Sequence, residues 1–161
     1  MNHAPAIESN GTTTTLEEII RLKTILVPID FSAQSKFAFR YAAHLAESVD
    51  GRIILLHVVQ SPFSYRGYEP EVEEELTRQA QHNLDQMCLT AAIKLENIET
   101  MVRLEVESIS KEIVLAARDV EADLIVVPAS HRSGFTRALV TSTADSISHH
   151  APCPVLTIPA A

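Results

Sequence analysis

Short, almost purely apolar runs separated by helical patterns constrain this chain more than any other feature. TILVPI (24–29), RIILLHVV (52–59), DLIVV (123–127) and VLTI (155–158) are four such runs. Each is too short to cross a bilayer and too uniformly apolar for a strand with one wet face. They read as strands buried on both faces, as in parallel sheets covered by helices. A fifth segment, ETMVRLEV (99–106), alternates weakly and completes the set.

Helical spacing fills the gaps. Over 33–49, Phe37, Ala38, Tyr41, Ala42 and Leu45 recur on one face, with Ser32 placed as N-cap. A longer amphipathic helix is predicted over 71–95, with Val72, Leu76, Ala80, Leu84, Met87 and Ala91 inward and acids in its first turns. Ile109, Ile113, Ala116 and Ala117 mark a helix over 108–120, and another is predicted over 143–150. The loop SPFSYRGYEP (61–70) carries turn residues. Strand and helix therefore alternate, which predicts an α/β fold with a mostly parallel five-stranded sheet and helices on both faces. In such sheets ligands sit beyond the carboxyl ends of the strands.

The 161 residues suggest one domain over 23–161, preceded by an extension over 1–22. Residues 1–14 read as a flexible polar tail, and Thr15-Leu16-Glu17-Glu18 fits a capping box before a short helix over 16–22. The first residues show neither a basic nor an apolar signal region, so a cytoplasmic location is expected. No apolar run is long enough for a membrane span. The formal net charge of −8 repels phosphate backbones, so nucleic acid is not an expected partner. Cys88 and Cys153 form neither a metal-ligand spacing nor a disulfide framework, and read as buried or half-buried thiols.

Few residues suggest catalysis. No Ser/His/Asp or Cys/His spacing stands out, and no acid pair recommends itself, so the chain is not read as an enzyme and no metal site is assigned. His57 lies within an apolar strand and reads as a satisfied core histidine. His149 and His150 point to different faces of a helix end, a poor metal pair but a favourable place for the helix dipole and for a dimer contact.

Several segments in order resemble the universal stress protein family. ILVPIDFSAQSKFAFRYAAHLA (25–46) is similar to its first strand and helix, and IILLHVV (53–59) to its second strand. ADLIVV, SHRSG and STADSISHHAPCPVLTI, within 122–158, resemble its last third. The resemblance implies a Rossmann-like fold of the adenine nucleotide alpha hydrolase kind. It also implies a stress-response or regulatory role and a homodimer paired through the final strand, here Val155, Leu156, Thr157 and Ile158. A short apolar edge strand invites such pairing on its own account. The protein partners stay unspecified.

Family members that bind ATP carry G-x-x-G, nine residues, then G-[S/T]. Those glycine positions fall here on Pro128, His131 and Thr141, followed by Ser142. Pro128 has no N–H, His131 adds a ring where bare backbone lies against a ligand, and Thr141 is β-branched and disfavours positive φ. Weak or no ATP binding is therefore expected.

Candidate nucleotide contacts remain nonetheless. By resemblance, Asp30 meets the adenosine part and the Val58 backbone meets adenine, beside Pro28 and Val127. Arg132, Ser133, Ser142 and Thr143 are the anion-binding material around the loop. A nucleotide sensor for ATP or AMP, using His131, Arg132 and Ser142 on the phosphates, is the alternative function. Each residue also has a plainer role. Asp30 can accept N–H bonds from the turn before the next helix, Ser142 can cap a helix, and Arg132 and Arg137 can be solvated surface charges.

Overall fold

The computed structural model describes residues 22–60, 70–90, 97–129 and 143–159, together with the backbone of 7–9 and 12–14. In chain order the elements are β1 (Ile7–Ser9), β2 (Thr12–Thr14), β3 (Thr24–Pro28), α1 (Ala33–Val49), β4 (Arg52–Val59), α2 (Pro70–Thr90), β5 (Ile98–Leu104), α3 (Ile109–Asp119), β6 (Leu124–Pro128), α4 (Thr143–His150) and β7 (Val155–Ile158). β3 to β7 form one five-stranded sheet in the order β5-β4-β3-β6-β7, parallel throughout. The α/β architecture expected from the alternating pattern is the one found.

β1 and β2 pair antiparallel, with Ile7 opposite Thr14 and Ser9 opposite Thr12. Reading 1–14 as a tail does not include this ladder. The sequence between its strands is Asn10-Gly11, a favoured hairpin dipeptide, and the threonines suit extended backbone. Of the short helix expected over 16–22, all but Leu22 lies outside the described residues, as do 91–95 of the long one.

Two cores sandwich the sheet. Ile25, Val27, Ile53, Leu55 and Val126 pack under α1 and α2, against Ala38, Phe39, Ala42, Ala46, Leu84 and Cys88. Leu26, Ile54, Leu56, Ile125 and Val127 pack under α3 and α4, against Ile113, Ala116, Ala117 and Ile147. Alternate strand residues thus serve opposite faces, which explains why whole runs are apolar. Alanines on α1 bring that helix close to the sheet. Ser32 caps it, its Oγ accepting from the Ser35 amide at 3.1 Å. Asp50 closes it in a left-handed conformation at φ 52°. Gly51 follows because a Cβ there would lie 2.9 Å from the Leu22 carbonyl.

Two inward assignments are corrected. Tyr41 is half exposed, because the buried stripe of α1 runs through Ala38, Phe39, Ala42, Ala43 and Ala46. Val72 is also exposed, since α2 buries Ala80, Leu84 and Cys88 at four-residue spacing.

At the amino ends of the strands a polar chain crosses the sheet. Glu99 pairs with Arg52 at 3.0 Å, and Arg52 Nε donates to Thr24 Oγ1 at 3.1 Å. Asp123 Oδ2 then accepts from the amides of Lys23 and Thr24, each at 2.9 Å. Four neighbouring strands are tied at that end. The opposite end is therefore where the sheet can diverge.

Candidate functional site

β3 and β6 are neighbours in the sheet, yet the chain leaves β3 for α1 on one face and β6 lies beside α4 on the other. Their register is carried by Ile25 with Leu124 and Leu26 with Ile125, whereas β3 and β4 stay paired as far as Pro28 with Leu56. The β3–β6 pairing ends at Leu26 and Ile125, and this divergence marks the topological switch point, where such folds form their crevice. The structure brings Pro28 and Asp30, Val58, and Val127 and Pro128 to this carboxyl edge, from three adjacent strands.

Asp30 is exposed just past β3. Its Oδ1 accepts from the Ser32 amide at 2.9 Å, the turn-closing role foreseen as the plainer reading. Partial burial pushes its pKa up, but bonds from the Ser32 and Ser35 hydroxyls and the Ser32 backbone outweigh that and hold it below the usual value. Asp30 is therefore a carboxylate at neutral pH. Ser32 serves both the acid and the helix, so the acid is fixed relative to α1.

Phe31, next in the chain, has φ 64°, an uncommon value for a bulky side chain. Its ring lies 4.6 Å from the His57 ring, tilted by 37°. His57 is half-buried, and its Nδ1 lies 2.6 Å from the Ile29 carbonyl oxygen. A carbonyl only accepts, so Nδ1 carries the proton. His57 is satisfied, as the sequence suggested, but it sits at the site rather than deep in the core.

On the other side of the crevice, Val127 is buried and Pro128 half-buried. The next amide, Ala129, donates to the Ile158 carbonyl of β7 at 2.7 Å. Thr143 begins α4 and is exposed. Ser146 of that helix donates to Ser110 of α3 at 3.1 Å. His131, Arg132, Ser133, Arg137, Thr141 and Ser142 lie outside the described residues.

A model of the universal stress protein family matches residues 21–159. The chain belongs to that family. A Staphylococcus epidermidis protein carrying the universal stress protein name is 31% identical over 147 residues, covering 87% of this chain and 86% of that one. The solved structure of universal stress protein UspA from Lactobacillus plantarum is 29% identical with a TM-score of 0.68, covering 86% of this chain and 99% of that one. An Archaeoglobus fulgidus universal stress protein solved in complex with dAMP has a TM-score of 0.56 at 20% identity, and covers 86% and 99%. That last likeness carries the fold alone.

Within this universal stress protein fold, the remaining candidates lie away from the crevice. Among the described residues β7 is an edge strand, with β6 as its one neighbour in the sheet. Val155 and Leu156 are half-buried, Thr157 exposed and Ile158 buried. His149 and His150 are exposed at the end of α4, where His150 Nδ1 donates to the Ser146 carbonyl at 3.0 Å. Cys88 and Cys153 are free thiols on opposite faces of the sheet. Burial, with Asp85 near the first and Asp123 near the second, pushes both pKa values up. Among the described residues no group of three or more His, Cys, Asp or Glu side chains could hold a metal ion. None of the described helices is long and apolar enough to cross a membrane.

Sequence reasoning missed the coupling of Phe31 and His57 at the crevice. It also missed the pairing of Arg103 on β5 with Asp119 and with the buried Glu112 of α3, the latter at 3.7 Å. A positive φ at a non-glycine residue leaves no signal in the sequence. The helical position of Glu112, one residue before the inward Ile113, was the available hint for the second.

Proposed function

We propose that this universal stress protein is a non-enzymatic regulatory protein of the cytoplasm that works as a homodimer through β7, with a weak or absent grip on ATP. One observation carries the ligand reading: the start of the phosphate loop has lost its backbone donors. Pro128 has no N–H, and the Ala129 amide is already committed to Ile158. A triphosphate needs several such donors at once. His131 and Thr141, at the other two glycine positions of the family motif, add side chains where the motif has none.

The base-binding half of the crevice is better preserved. Asp30 is ionised and fixed, and Val58 stands at the end of its strand. That contrast favours a second reading, a sensor of ATP or AMP in which His131, Arg132 and Ser142 replace the missing donors. Its phosphate affinity rises as pH falls through about 6.5, where a histidine such as His131 becomes cationic. Native mass spectrometry of the purified protein separates the two. The first reading expects a dimer free of nucleotide; a mass increment of a bound adenine nucleotide on every subunit favours the second, and a monomer removes the dimer from both.

A further inference from the structure

In a parallel ladder both backbone groups of a residue point to the same neighbour, and successive residues alternate sides. Ile29 donates its amide to the Leu56 carbonyl at 2.7 Å, so Leu56 faces β3; Glu105 donates to Val59 at 2.8 Å, so Val59 faces β5. Val58, between them in alternation with Val59, presents its N–H and C=O toward β3, at the crevice. A continuing ladder would send the Val58 N–H to the Ile29 carbonyl and the Phe31 N–H to the Val58 carbonyl. Neither bond forms.

Two features accompany this. The Ile29 carbonyl accepts from the His57 side chain at 2.6 Å where the ladder would have the Val58 amide, and Phe31 takes a left-handed conformation at φ 64°. The His57 ring packs on the Phe31 ring and so joins both features in one contact. Val58 is 8% exposed, and among the described residues its N–H and C=O find no hydrogen-bond partner.

We infer that His57 is a positioning residue for ligand binding: by capping the Ile29 carbonyl and backing Phe31, it ends the β3–β4 ladder early and keeps the Val58 donor and acceptor free for a heteroaromatic base. A neighbouring donor and acceptor on one strand edge match a ligand edge of opposite order, such as that of a nucleobase. The inference rests on the preserved base-binding half of the crevice set out above. It does not require a phosphate grip.

The test uses the full chain and nuclear magnetic resonance, with AMP as the probe at millimolar concentration. In the parent protein the scalar coupling across a hydrogen bond from the Val58 amide to the Ile29 carbonyl is absent, and the Val58 amide shifts saturably with AMP. His57→Phe keeps the ring and removes the donor; the coupling appears and AMP affinity falls about tenfold or more. His57→Asn, which can still donate to Ile29, retains most of the affinity and guards against a variant that merely unfolds. A Val58–Ile29 coupling in the parent protein overturns the inference. Unchanged AMP affinity in His57→Phe also overturns it. If the parent shows no coupling and no AMP-dependent shift at Val58, the base-binding reading of the crevice itself fails, a result distinct from failure of the His57 role.

Discussion

The amide of Ala129 donates to the carbonyl of Ile158 at 2.7 Å, so β7 occupies the first backbone donor after Pro128. Edge strand and ligand loop are thereby joined: the strand proposed to pair the subunits also consumes a donor that a phosphate would need. Restoring the glycines should recover part of the lost grip. Replacing Pro128, His131 and Thr141 together by Gly returns one amide and clears two side chains, while Ala129 stays committed. We expect ATP affinity to rise by about tenfold or more in calorimetry. No gain in a folded triple variant would place the defect elsewhere.

The polar chain at the amino ends of the strands bears on stability. Asp123 accepts two backbone amides through a single oxygen. In Asp123→Ala both donors lose that partner, and the loss is expected to be about 1–3 kcal/mol, read from the urea midpoint. An unchanged midpoint would mean that water replaces the carboxylate without cost.

Asp30 gives a pH dependence of definite sign. Its folded pKa lies below the ordinary value of 3.8, so the folded state favours the carboxylate. That contribution is fully present above pH 3.8 and is lost as pH falls through the folded value. Asp30→Asn should flatten this part of the acid unfolding curve and leave stability near pH 7 slightly reduced. Because Asp30 is exposed, the effect is small. A variant that steepens the acid limb would contradict the assigned sign.

The β7 edge sets the expected assembly. Leu156→Asp places a charge on the half-buried side of that strand and should give a monomer by light scattering. A folded dimer of unchanged affinity would move the interface off β7.

Most of the frame was legible because the sheet is buried on both faces. The run 52–59 and the helix 33–49 were bounded correctly from their apolar content and the Ser32 cap. The finer errors have physical causes. On α1, Tyr41 lies beside the buried stripe rather than in it, and its large apolar ring gave it undue weight. On α2, Cys88 packs inward where Val72 does not, because the helix meets the sheet along its second half. The site was legible only as far as strand ends reveal it: Asp30, Val58 and Pro128 follow from element boundaries and the family resemblance. The role of His57 depends on where the β3–β4 ladder stops, and that depends on a left-handed Phe31 that no propensity foretells.

The central claim is that the crevice has kept its base-facing edge and lost its triphosphate grip. Calorimetric titration of the same preparation with ATP and with AMP tests it most directly. The account predicts that ATP binds no more tightly than AMP, with any dissociation constant weaker than about 0.1 mM. A dissociation constant for ATP of about 10 μM or below, much tighter than for AMP, would contradict it.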